Sequence, residues 1–247
     1  MRCRIAARTW YGQYEGSLWG IMKKKCSIEF KLSHSPISKP ITKFGGQPVW
    51  INQAQWPISK KTEKPMMFIG QIKLEPGLFG RIEGRMAYIF MTEDKKRDAQ
   101  TWDPNSGENA IVIQPGSNRI KVLPIDIGPS LNRRVKMRGT ISYLIEPCEY
   151  LVKLKLGEDQ EYITEYERED WDEITLKKYA KALDGNKIGG TPIFLQGDEF
   201  PKGGPWNLLL QLDSTKVPFL INFGDSGIGY TFISKDGKKA KFLWQCL

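Results

Sequence analysis

Few residues in this chain have the type and spacing to do chemistry. Gly224-Asp225-Ser226-Gly227 has the form of a serine-nucleophile loop. That chemistry needs a base beside the hydroxyl and a third group to orient the base. The single histidine, His34, lies in Ser33-His34-Ser35-Pro36, with no matching context. A serine hydrolase is therefore disfavoured, and the loop reads as a tight turn joining two apolar strands. One histidine also closes off most His-based metal and acid–base chemistry. Gly45-Gly46 and Gly189-Gly190 lack phosphate-loop spacing, and a proline soon after each pair removes an amide donor. They read as structural turns. Cys3, Cys26, Cys148 and Cys246 stand far apart, so neither a zinc site nor a disulfide framework is indicated, and a reducing cytoplasm is the simplest setting. No catalytic residue, metal or cofactor is expected.

The charge pattern points to binding instead. Glu158 to Glu173 holds nine acidic residues against one base, Arg168, in a chain of net charge +9. Such a run is ordinarily a solvated face, yet this one also contains Tyr162, Tyr166 and Trp171. Acidic groups framing large aromatics suit a docking surface for a basic protein partner. The candidate contact residues are Glu165, Tyr166, Glu167, Glu169, Asp170, Trp171 and Asp172. Basic clusters at Lys23–Lys25, Lys95–Arg97, Arg133–Arg138 and Lys238–Lys241 raise nucleic acid as the alternative partner. Those clusters are scattered, carry no recognised motif, and share the chain with an acidic run that would repel phosphate. No apolar stretch reaches the roughly 18 residues of a membrane helix. The basic start is interrupted by Arg8, Gln13 and Glu15 and is not a secretory signal. Met22-Lys23-Lys24-Lys25 offers an alternative start, which makes the first 21 residues peripheral.

The elements that position these residues come in two copies. Lys43-Phe44-Gly45-Gly46-Gln47-Pro48-Val49-Trp50 recurs, 144 residues later, as Lys187-Ile188-Gly189-Gly190-Thr191-Pro192-Ile193-Phe194. Trp56-Pro57 and Phe200-Pro201 extend the match, and each copy leads to an apolar run with one glutamine, Gln71 or Gln211. A glutamine inside an apolar strand reads as a buried amide tying a loop to the sheet. Short apolar runs bounded by Gly, Pro or Asn predict strands near 27–32, 66–74, 86–92, 110–114, 120–123, 141–145 and 150–156. Further strands are expected at 208–212, 219–223, 229–234 and 242–244. One helix is expected where Leu176, Tyr179, Ala180 and Leu183 form a stripe that Asp184-Gly185 stops. The expected divisions are an N-terminal segment, 1–40, a first half, 41–156, and a second half with the acidic segment and helix, 157–247.

The paired Gly-Gly-x-Pro elements, the Gln71 and Gln211 strands, the ending Phe223-Gly224-Asp225-Ser226-Gly227-Ile228-Gly229-Tyr230 and the closing Phe242-Leu243-Trp244-Gln245 resemble the YwqG family of bacterial proteins. The likeness spans about residues 40–247. It implies an α+β protein of sheet-rich, pseudo-duplicated halves packed as one body with few helices. It also implies a non-catalytic binding role, since some members belong to toxin–immunity repertoires and protect the producer by binding a toxin. Gln245, where an acid is usual, and the acidic stretch depart from the family pattern.

Overall fold

The computed structural model describes residues 23–93, 98–116, 120–137, 139 and 141–247. The N-terminal reading, Lys95-Lys96-Arg97 and Arg138 fall outside these residues. In chain order the elements begin with β1 (Lys23–Leu32), β2 (Lys43–Gly45), β3 (Trp56–Pro57), β4 (Met67–Lys73), α1 (Pro76–Phe79), β5 (Met86–Met91), β6 (Asn109–Gln114) and β7 (Val122–Leu123). Then come β8 (Asn132–Lys136), β9 (Tyr143–Pro147), β10 (Glu149–Asp159), α2 (Glu173–Leu183), β11 (Lys187–Gly189), β12 (Trp206–Asp213), β13 (Ile228–Ser234) and β14 (Ala240–Gln245).

Ten strands form one antiparallel sheet in the order β14-β13-β12-β11-β1-β10-β2-β4-β5-β6. Its centre is the long pair β1 and β10, in register from Lys23 opposite Asp159 to Leu32 opposite Tyr150. Each central strand then recruits a four-stranded wing. The sheet curls until its edge strands β6 and β14 meet, where the Trp244 indole donates to Thr101 Oγ1 at 3.1 Å.

The pairing in one wing recurs in the other. Lys43 stands opposite Gln71 as Lys187 stands opposite Gln211. A register shift falls between Phe68 and Gly70 in β4, and another between Leu208 and Leu210 in β12. Gln71 faces Tyr88 across the next pair, and Gln211 faces Tyr230.

The inner face of the curled sheet supplies a shared core: Phe44, Ile69, Ile89 and Ile113 from one wing meet Ile188, Leu210, Ile233 and Phe242 from the other. On the outer face each wing has its own cluster, covered by its own Gly-Gly-x-Pro loop. Trp50 and Trp56 lie over Phe68, Tyr88 and Phe90, while Phe194 lies over Leu208, Tyr230 and Phe232.

The expected α+β class is not what the chain adopts. Strand accounts for 39% of the structure and helix for 8%, so the architecture is closer to an all-β, nearly closed barrel. A sheet that folds back on itself buries its own apolar face and needs no helical layer. Helix α2 lies where the stripe predicts, yet only Tyr179 and Leu183 are buried. The apolar run 219–223 is also not a strand. Phe219 and Phe223 plug the core from an irregular segment, and Leu220 donates its amide to Asn132.

Candidate functional site

Three places hold groups that could act: the paired Gly-Gly turns, the acidic run, and the seam where the sheet edges meet.

Each Gly-Gly turn follows a three-residue strand, with left-handed φ at Gly45 (71°) and Gly46 (63°), and at Gly189 (70°) and Gly190 (80°). The second glycine of each pair is required by space as well. A Cβ on Gly46 would lie 2.3 Å from the Glu149 carboxyl carbon, and one on Gly190 would lie 2.3 Å from Asp159 Oδ2. The carboxylates fill those gaps to reach two buried lysines. Lys43 is paired with Glu149, and Lys187 with Asp159 at 2.7 Å, while Lys25 shares Asp159 from the other side.

Burial pushes the Lys43 ammonium below its ordinary value, against the pull of Glu149. It pushes Lys187 down to about 8, with Asp159 opposing. A lysine near neutrality can be a nucleophile. Here the Lys187 nitrogen donates to Asp159, to the Leu183 carbonyl at the end of α2 and to the Thr191 carbonyl, so its three donor positions are filled. The arrangement is a structural lock that also caps the helix C-terminus.

The glutamines complete the lock. Gln71 accepts from the Val49 amide at 2.8 Å and donates to the Ile41 carbonyl at 2.9 Å. Gln211 accepts from Ile193 at 3.0 Å and donates to Gly185 at 3.0 Å. Tyr88 and Tyr230 donate to the carbonyls of the same two residues, Val49 and Ile193. Burial raises both hydroxyls, Tyr88 to about 12.

Local structure consumes much of the acidic run. Asp172 caps α2 by accepting from the Thr175 amide at 2.8 Å, and Glu167 accepts from Thr164. Those hydrogen bonds lower both carboxyls. Trp171 is half-buried, edge-on to Tyr179 at 5.5 Å, and Arg168 turns inward to Asp198. Glu165, Tyr166, Glu169 and Asp170 remain exposed beside the short 3-10 turn Tyr166–Arg168. The structure therefore keeps the seven residues in one neighbourhood but turns Trp171 toward the helix.

The seam holds a cleft of about 740 Å³, within the range of ligand and side-chain pockets. Met67, Met91, Trp102, Trp244, Leu220 and Ile221 give it an apolar floor, with Trp102 edge-on to Trp244 at 6.0 Å. Arg134, Glu93 and Asp225 are the charged residues that line it. Gly224-Asp225-Ser226-Gly227 borders this cleft as a turn. A Cβ on Gly227 would lie 1.8 Å from the Phe223 carbonyl, so the glycine is a packing requirement. Among the described residues, the Ser226 hydroxyl reaches the neighbouring Asp225 carboxylate, at 3.4 Å, and no base.

Beyond Arg134, β8 and β9 form a separate two-stranded hairpin. Tyr143, Leu144 and Ile145 are each more than half exposed, and Ile141 is 94% exposed. Arg133 is neutralised by Glu146, and this contact raises its guanidinium further.

The family model described as a domain of unknown function (DUF1963) matches residues 42–246, most of the chain. The chain belongs to the DUF1963 family. No curated protein matches it. The DUF1963 match takes in both Gly-Gly locks, the hairpin and the cleft, and leaves β1 ahead of it.

Sequence reasoning missed Glu149 and Asp159, which meet their lysines from 106 and 28 residues away. It expected a strand at 141–145 and a basic cluster at Arg133–Arg138 but did not join them into the exposed hairpin of the DUF1963 region. The signal there was three adjacent apolar residues, Tyr143-Leu144-Ile145, close to the basic Arg133-Arg134 pair.

Proposed function

We propose that the protein is a non-catalytic binding protein that neutralises a bacterial toxin by docking over its working surface, in the manner of YwqG-type immunity proteins. The observation that carries the binding reading is the β8–β9 hairpin. Large apolar side chains left in water mark interaction surfaces, and Tyr143 and Ile145 are exposed on the hairpin face that carries the cleft-lining Arg134, with Leu144 exposed on the other face and Ile141 just ahead of the strand. The toxin as partner rests on the resemblance of the repeated elements and the C-terminal strands. Inhibition would come from occlusion, with charge setting the encounter rate and apolar burial setting the lifetime. The exposed acids Glu165, Glu169 and Asp170 provide a second charged face on the same body.

Nucleic acid is the second reading, favoured by the cations Arg134 and Lys136 on the hairpin. Co-expression with candidate toxins from the producing cell tests the first reading: growth should be restored, and a stoichiometric complex should survive gel filtration. Salt-sensitive retention on a nucleic-acid column with no protein complex would favour the second.

A further inference from the structure

We propose that the outer edge of β8 and the adjoining cleft accept an extended acidic and apolar segment of a protein partner as an additional strand. This rests on the protein-binding reading above and names the surface and the partner's chemistry.

The backbone supplies the first argument. Leu131 and Met137, which flank β8, bond toward the β9 side, with Cys148 donating to Leu131 and Met137 donating to Ser142. Asn132 points the other way, and its carbonyl accepts from Leu220 at 2.7 Å in a single antiparallel bridge. Alternation then places the N–H and C=O of Arg134 and Lys136 on that same outer side. No strand continues the bridge past Asn132 among the described residues. An unpaired edge of this kind is a template for an incoming strand.

The side chains supply the second. Arg134 stands opposite Ile145 and Lys136 opposite Tyr143, so the four share one face of the hairpin. Arg133 and Glu146 pair on the opposite face. The Arg134 face thus carries two cations and no acid, and neither cation has an ion pair among the described residues. The same Arg134 lines the apolar cleft. A strand along this edge would place one apolar side chain over Trp102 and Trp244 and its carboxylates against Arg134 and Lys136. Glu93 and Asp225 also line the cleft and would repel a carboxylate placed inside it, which favours an apolar side chain there.

Panning a random peptide library against the full chain tests this. The expected winners carry their acidic residues and at least one large apolar residue two positions apart, so that they share one face of the added strand. Their affinity should fall about tenfold or more with Arg134→Glu and with Ile145→Ser, and be largely kept by Arg134→Lys. N-methylation at alternate backbone positions should abolish binding in one phase and spare it in the other, which is the signature of strand addition. The proposal is overturned if no peptide is enriched, if the winners are basic, or if Arg134→Glu leaves affinity within twofold. It is also overturned if the variants instead dissolve a dimer of this chain, or if binding requires removal of residues 1–22. A toxin complex that survives Arg134→Glu would sink this inference alone, whereas the absence of any protein complex would sink the binding reading.

Discussion

The Glu149 carboxylate occupies the space where a side chain on Gly46 would begin. Only a glycine lets that carboxylate reach the buried Lys43, and Gly190 does the same for Asp159 and Lys187. Gly46→Ala and Gly190→Ala should each cost about 3 kcal/mol or more, because they strain a left-handed residue and displace the counterion of a buried charge. Gly203 has a positive φ of 84° with no atom near its missing Cβ, so Gly203→Ala should cost only about 1 kcal/mol. Urea unfolding of the three variants separates the terms.

Gln71 and Gln211 each hold one loop amide and one loop carbonyl. Gln71→Leu strands both groups without partners and should cost about 2–4 kcal/mol. A loss below about 0.5 kcal/mol would mean that water replaces the amide and that the lock is decorative.

Lys187 titrates near 8 when folded, against an ordinary 10.5. Between those values the unfolded chain binds more protons, so stability rises with pH across that window. Below about 8 the full burial penalty is present. The stability difference between wild type and Lys187→Met should therefore shift toward wild type from pH 8 to 10.5, by no more than about 3 kcal/mol. Denaturation at three pH values in that interval checks the sign.

Trp56 is fully buried, and its indole donates to the Met66 carbonyl at 2.7 Å. Trp56→Ala should cost about 3–5 kcal/mol. Its counterpart in the second copy, Phe200, is 40% exposed, so Phe200→Ala should cost about half as much. Equal losses would show that the two outer clusters carry equal weight.

Local pattern made much of the fold legible. The stripe Leu176, Tyr179, Ala180 and Leu183 located α2, and alternating or apolar runs located most of the long strands. The three-residue strands β2 and β11 escaped notice because glycines interrupt them. The run 219–223 misled because apolar content marks burial whatever path the backbone takes. The class was misjudged because curling is a property of the whole sheet, and no segment announces it. The candidate site was less legible still. Counterions came from distant strands, and a charge count could not show that Asp172 is spent as a helix cap.

Tyr143 and Ile145 are 58% and 51% exposed on a hairpin outside the main sheet. Replacing both with Ser should leave the melting temperature nearly unchanged, within about 0.5 kcal/mol for each. A large destabilisation would show that the pair packs on this chain itself.

The most direct test of the account is affinity isolation from the producing cell with wild-type protein and with the Tyr143→Ser/Ile145→Ser variant, side by side. The account predicts one stoichiometric protein partner on the wild type and its loss from a variant that is folded and equally stable. Retention of the same partner by the variant, or recovery of nucleic acid with no protein from the wild type, would contradict it.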